Sequence, residues 1–206
     1  MQFRNPAVAA ALSEGQPIAL NLGAGRLPEP GTFAVDWADL PGVDIVADLN
    51  QPLALLPDDS VSRVYTSHTL EHIRDLLGLM RELHRVCRDG ATLDVRLPHF
   101  SSPHFYSDPT HVRAFGLYSF HYFSAPEDQP GRKVPEYYSD ARFRVEAASF
   151  HWERHGLLDR LLVPLLRKRV NRSFEALERY ERRWVWIYPV AEMRFRLTVR
   201  KPRAAG

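Results

Sequence analysis

The chain has 206 residues, 45% of them hydrophobic and 25% charged, with a formal net charge of +2. That is enough for one globular domain with a real core, and the low net charge and lack of an RNA-binding motif lead us to expect no nucleic-acid partner. A single cysteine, Cys87, excludes an intrachain disulfide and fits a reducing compartment, so the cytoplasm is expected. The opening run "MQFRNPAVAAALSEG" is broken by Glu14 and is too short for a signal peptide or a membrane span.

In chain order, residues 6 to 14 are expected to form a short helix with Pro6 in its first turn. Three strands follow in "IALNLGAG", "TFAVDWA" and "GVDIVADL", the last ending at Asp48. "VSRVYTSHTL" carries a fourth. "RDLLGLMRELHRVC" is an amphipathic helix with Leu76, Leu79, Met80, Leu83 and Val86 on one side, and Gly90 is its expected left-handed cap. "ATLDVRLPH" is a fifth strand. Residues 100 to 140 are rich in proline, histidine and aromatics and carry no clear period. "RFRVEAASF" alternates like a half-buried strand. "ERHGLLDRLLVPLLRKRV" and "SFEALERYERRW" read as helices, the first interrupted by Pro164. "EMRFRLTVRK" closes the chain with Met193, Phe195, Leu197 and Val199 facing inward. Strands alternating with crossovers predict an α/β fold with a mainly parallel sheet.

The stretch "IALNLGAGRLPEPGTFAVDWAD" is a strand, a Gly-Ala-Gly turn and a second strand ending in an acid. A dinucleotide site would open a helix there, because the helix N-terminus stabilises a pyrophosphate. Two prolines and a glycine forbid a full crossover helix in this short connection. A ligand without phosphates therefore fits better, and S-adenosylmethionine is one. Gly23 and Gly25 supply a turn that lets the ligand approach the backbone. Asp36 is placed for the ribose hydroxyls, Trp37 to lie on the adenine, and Asp48 to accept from the adenine amino group with Leu49 beside it.

The ordered set of glycine turn, Asp36, Asp48, "LPDDS" and "SHTLEHI" resembles the class I S-adenosylmethionine-dependent methyltransferases. It is most similar to a compact bacterial, type-11-like subgroup with a shortened first crossover. "SDPTHVRAF" and "YERRWVWIYPVAEMRFRLTV" look like later segments of that subgroup. The resemblance implies a Rossmann-like, mainly parallel seven-stranded sheet with an antiparallel last strand. It implies a single methyltransferase domain over 1–206, with an acceptor-side insert at 100–141 and a helical insert at 151–191. It implies S-adenosylmethionine as cofactor, held by Asn21, Leu22, Gly23, Ala24, Gly25, Asp36, Trp37, Asp48, Leu49, Ser67 and His68. Asn21 departs from the pattern, standing where the subgroup carries an acid.

On the acceptor side, "PHFSSPHFYSDPTH" holds His99, His104, Asp108 and His111. No histidine pair shares a helical face and no cysteine joins them, so no metal is expected. Asp108 is expected to cap a helix through Asp-Pro, with His111 in its first turn. His104 or His111 is then the expected general base, oriented by Asp108. Glu71 and His72 serve either as structural hydrogen-bonders or as part of the site. The expected reaction is O-methylation of a sugar or small-metabolite hydroxyl, so the partner is a small molecule or glycan. The rivals are an N-, C- or macromolecule methyltransferase and a non-catalytic ligand-binding protein. Residues 153–190 mix leucines with arginines. This amphipathic pattern predicts core or homodimer packing, or a peripheral membrane contact.

Overall fold

The computed structural model describes residues 1–26 and 28–202. Its elements begin with β1 (Gln2–Phe3), α1 (Pro6–Ser13), β2 (Ile18–Leu22), β3 (Phe33–Asp36), β4 (Ile45–Val46) and β5 (Val61–Ser67). Then come α2 (Leu76–Val86), β6 (Cys87–Pro98), α3 (Pro103–Ser107), β7 (Phe143–His151), α4 (Leu157–Val170), α5 (Phe174–Arg183) and β8 (Glu192–Val199). Together the strands form one sheet in the order β1-β4-β3-β2-β5-β6-β8-β7. The pairings of β2 with β3 and β5, of β3 with β4 and of β5 with β6 are parallel, and β8 runs antiparallel to β6 and β7. This is the expected sheet with its reversed last strand. The two-residue β1, which has no sequence signal of its own, adds an antiparallel edge to β4.

Hydrophobic period places the core. On α2, Leu76, Leu79, Met80, Leu83 and Val86 are the buried residues, and Asp75 caps the helix by accepting from the Gly78 N–H at 2.8 Å. On β8, Met193, Phe195, Leu197 and Val199 are buried, while Arg194 and Arg196 point to the other side. That other side of the sheet is polar. Arg63 and Arg196 meet Asp94 at 3.4 and 2.9 Å, and Arg96 lies over the Tyr65 ring at 5.3 Å. The described part of the 23–32 connection forms only turns, so no crossover helix covers this face there.

Several expected details change. Gly90 does not cap α2: the helix passes straight into β6 at Cys87, and Gly90 (φ +76°) sits in a bulge between the pairs Val61–Cys87 and Arg63–Thr92. Pro164 does not interrupt α4. It lies on the exposed side, so the Arg160 carbonyl that loses its donor is open to water. Nor does the leucine stripe of α4 enter the core. Val163 and Val170 are buried, but Leu157, Leu158, Leu161, Leu162 and Leu165 are exposed. Among the described residues, no helix is long and apolar enough to cross a membrane.

The residue just past α4 protects the sheet edge. Asn171 accepts from the Phe150 N–H and donates to the Phe150 carbonyl, both at 2.8 Å, and so imitates a further strand. Asn171→Ala should lower unfolding free energy by about 1–3 kcal/mol, because both backbone groups lose their partner. Urea unfolding should show a lower midpoint with an unchanged slope; an unchanged midpoint would show that water replaces both bonds without cost.

Candidate active site

The candidate site lies at the carboxyl ends of β2, β3 and β5, where open α/β sheets bind ligands. Gly23 turns the chain with φ +64°, and an added Cβ there would run into the Thr69 side chain. The buried Asp36 carboxylate accepts from the Gly25 N–H at 2.9 Å and from the Ala38 N–H at 3.0 Å. One acid thus holds both the glycine turn and the start of the next loop. Asp48 accepts from the Asn50 N–H and side-chain amide at 2.9 and 3.0 Å. Asn50 in turn accepts from the Arg74 N–H at 2.7 Å, tying this wall to the start of α2.

These groups line a cavity of about 800 Å³. Its wall runs from Gly23, Asp36, Trp37, Asp48 and Leu49 to His68, Thr69, His72, Ile73 and Thr110. The expected cofactor residues therefore split. Gly23, Asp36, Trp37, Asp48, Leu49 and His68 face the cavity. Asn21, Leu22 and Ala24 are buried in the strand end and turn behind it, Gly25 supplies an N–H to Asp36, and Ser67 ends β5. Asn50, Thr69, Arg74 and Thr110 line the cavity without having been singled out. The signal for Asn50 was the Asp-x-Asn spacing of an Asx turn. Two carboxylates and apolar side chains at one end suit a cationic, phosphate-free ligand such as S-adenosylmethionine. Trp37, 79% exposed, offers a free aromatic face.

The acceptor side differs from expectation. Asp108 follows the end of α3 and caps no following helix. Its carboxylate instead accepts from the Thr110 N–H at 2.8 Å and hydroxyl at 2.6 Å, which closes a tight turn around Pro109. His104 is not oriented by Asp108. Its Nε2 lies 3.0 Å from Glu153, on the outer surface. His111 is the histidine drawn inward: Nδ1 is 2.9 Å from the Phe105 carbonyl oxygen, and Nε2 is 3.8 Å from Asp108 and 3.9 Å from the fully buried Glu71. His72 packs edge-on against His111, ring centroids 4.7 Å apart. His99, the remaining histidine of the segment, is buried between Ser101 and Glu181.

His68 adopts φ +52°, a backbone conformation uncommon outside glycine. Its Nε2 stands 3.2 Å from Glu192 and its Nδ1 3.6 Å from Glu71. Glu192 first and Glu71 second raise its pKa to about 9 against the opposing effect of burial. Burial pushes the Glu192 carboxyl up, but hydrogen bonds from His68 and Arg194 prevail and hold it at about 2. At neutral pH His68 is therefore a cation, unsuited to accept a proton.

Residues 28–94 match a family model described as a methyltransferase domain. No curated protein matches the sequence. Among solved structures, a SAM-dependent methyltransferase from Archaeoglobus fulgidus aligns with a TM-score of 0.53 at 17% identity, over 94% of this chain and 93% of its own. A chain of the Haloferax volcanii complex containing the Trm112 methyltransferase activator aligns at 0.53 and 12% identity, over 89% and 82%. The YcgJ protein of Bacillus subtilis aligns at 0.52 and 12% identity, over 96% and 99%. The matched segment begins just after the glycine turn and ends within β6, and the fold around it is Rossmann-like.

The His68–Glu192 pair makes stability depend on pH in a defined window. His68 is raised above its ordinary 6.5, so its contribution is complete below 6.5 and is lost as pH rises through about 9. Glu192 is held below its ordinary 4.5, so its contribution is complete above 4.5 and is lost as pH falls through about 2. The Tm advantage of the parent chain over Glu192→Gln should be greatest between pH 4.5 and 6.5 and should fall, as pH rises through about 9, to the part that the Arg194 bond maintains. Half-exposure of His68 keeps the effect modest. A difference independent of pH would show that the pair contributes by packing alone.

Proposed function

We propose that this chain, an S-adenosylmethionine-dependent methyltransferase of class I fold, methylates a hydroxyl group of a sugar or other small metabolite. One observation carries the reading: the cavity walled by Asp36 and Asp48 reaches His68 and His72, and both also border the neighbouring cavity that holds Glu71, Asp108 and His111. S-adenosylmethionine supplies the methyl group as an electrophile. Gly23, Asp36, Trp37, Asp48 and Leu49 are the residues suited to hold it, and their contribution is proximity and orientation. A hydroxyl acceptor must also lose its proton in the transition state. That task falls to the cluster of Glu71, His72, Asp108 and His111. His104, tied to Glu153 at the surface, has no part in it.

The acceptor also meets a cleft of about 600 Å³ beside His68, lined by His104, His151, Arg167, Glu192 and Arg194 among others. Arg167 belongs to α4, whose exposed leucines stand beside Arg160, Lys168 and Arg169. Trp184, Trp186 and Ile187 are exposed as well. A two-fold contact through α4 would set these cations against their own copies. An anionic membrane surface instead satisfies both the leucines and the charges. We therefore place the basic amphipathic segment at a membrane surface, with the acceptor approaching from that side.

Two measurements test these statements. Across a panel of sugars and lipid-linked glycans, His111→Ala should lower methyl transfer by about 10²–10⁴-fold while S-adenosylmethionine affinity stays unchanged, and His104→Ala should change neither. Parent-like turnover of His111→Ala would remove His111 from the reaction, and transfer to amines alone would overturn the hydroxyl reading. Vesicles containing anionic lipid should bind the chain at low salt and release it at high salt. Leu161→Glu should abolish that binding. A concentration-dependent dimer lost in the same variant, without vesicle binding, would assign the face to a second copy.

A further inference from the structure

At the acceptor side, Glu71 and the Nε2 of His111 face each other at 3.9 Å. Glu71 lies in the short 3-10 turn Leu70–His72 after β5. It is fully buried, and among the described residues neither carboxylate oxygen has a hydrogen-bond partner. The nearest cation, His68, stays at 3.6 Å from Oε1, beyond hydrogen-bond length. That one half-exposed cation, held without a hydrogen bond, leaves the buried carboxylate only partly compensated.

Two histidines of the cluster, His72 and His111, each keep a bare nitrogen. Nδ1 of His111 lies 2.9 Å from the Phe105 carbonyl oxygen, which can only accept, so Nδ1 carries the ring hydrogen. Nε2 of the neutral ring is then a lone pair, and it faces Glu71 and Asp108. Nδ1 of His72 lies 2.9 Å from the Thr110 hydroxyl, whose own hydrogen goes to Asp108 at 2.6 Å. His72 therefore donates there too, and its other nitrogen is free. One ligand atom from each of Glu71, His72 and His111 falls within a set whose members all lie within 4.8 Å of one another. Fixing each ring through its other nitrogen, by a carbonyl or by a hydroxyl relayed to a carboxylate, is how proteins orient metal-binding histidines. Ligand atoms bonded to one tetrahedral ion at about 2.0–2.2 Å stand roughly 3.4 Å apart, so side-chain movement alone closes the 3.9 Å gap between Glu71 and His111.

We propose that Glu71, His72 and His111 bind a divalent first-row transition cation at the acceptor edge, with Asp108 as the exposed fourth group. Two imidazoles and a carboxylate suit such an ion better than magnesium or calcium. The site rests on the hydroxyl reading given above and says how deprotonation is achieved: the cation holds the acceptor hydroxyl and lowers its pKa. The O–H bond breaks with its electron pair left on oxygen, and the proton goes to solvent past the exposed side of Asp108. The oxygen then bonds the methyl carbon while the carbon–sulfur pair returns to sulfur. No oxidant or reductant is involved. His111 acts as a ligand in this scheme and takes no proton itself. The cluster opens into a surface cavity of about 630 Å³, and His72 also borders the cofactor cavity, so a bound hydroxyl would lie between the two.

The test uses the full chain, stripped with a chelator and titrated with Co²⁺ and then Zn²⁺. One Co²⁺ per chain should bind with the visible absorption of a low-coordinate site, and Zn²⁺ should displace it. Glu71→Gln and the His72→Ala/His111→Ala double variant should each lose that spectrum while still binding S-adenosylmethionine. The double variant alters the pocket rim, so it keeps the test open should Glu71→Gln fail to fold. Absence of saturable Co²⁺ binding in the parent chain, or the same spectrum in the double variant, would overturn the site. Methyl transfer to a hydroxyl at full rate after chelation would overturn the cation's role and leave the hydroxyl reading intact. A bound cation with transfer to no hydroxyl would do the reverse.

Discussion

The Asp36 carboxylate is the constraint on which the ligand edge depends. It receives two backbone N–H groups, one from the glycine turn after β2 and one from the loop after β3. In a longer crossover a helix N-terminus would organise this turn. Here the connection is too short, and a side chain replaces the helix. Each carboxylate oxygen still has a lone pair to offer after these bonds, so the acid that builds the turn can also serve a ligand. Gly23 completes the lock from the other side. Its missing Cβ lets Thr69 pack against the turn, and the Thr69 hydroxyl lies 3.1 Å from the Leu22 carbonyl. The ends of β2, β3 and β5 are thereby held together without a helix.

A second constraint follows from that packing. Thr69 reaches the glycine turn because the chain reverses at His68, in a left-handed conformation that a histidine adopts at some cost. The same reversal carries Glu71 into the interior and leaves the His68 ring at the edge between Glu71 and Glu192. One strained residue thus sets the geometry of the cofactor wall and of the acceptor cluster together. The His68 N–H, bonded to the Arg96 carbonyl at 3.0 Å, keeps the reversal in register with β6.

Much of this was legible in the residues. The helical period of α2 and the alternation of β8 named their buried faces residue for residue, because each period has one solution that buries a stripe. The prolines and glycine after Gly25 announced a missing helix. What stayed hidden depended on chain segments distant in sequence. Glu71 and His111 are forty residues apart, and their segments meet through long-range bonds such as the Val112 N–H to the Glu71 carbonyl at 2.9 Å and the Thr110 hydroxyl to His72 at 2.9 Å. Asp108 carried a valid capping pattern, yet Thr110 offered it two donors at shorter range. The leucines of α4 had the period of a core helix. Period says that a stripe exists, and the three-dimensional neighbours decide whether protein covers it.

The short connections also explain where the chain's charges and leucines lie. A sheet wound with helices on both faces needs apolar residues on both faces of every strand. Without a helix in the first crossover, β5, β6 and β8 can carry arginines and acids on their second face, and they do, as a ladder centred on Asp94. The helices concentrate instead in the last third of the chain, where α4 and α5 follow β7. There α5 seals the sheet end with Leu177 and Tyr180, while α4 buries only Val163 and Val170. An exposed row of leucines flanked by cations is expensive in water and stable at an anionic interface. Arg167 on that helix borders the cleft that also contains His68. Under the proposed function, a glycan held at such an interface would reach the histidine cluster past Arg167 and Arg194, without detaching from the surface that presents it.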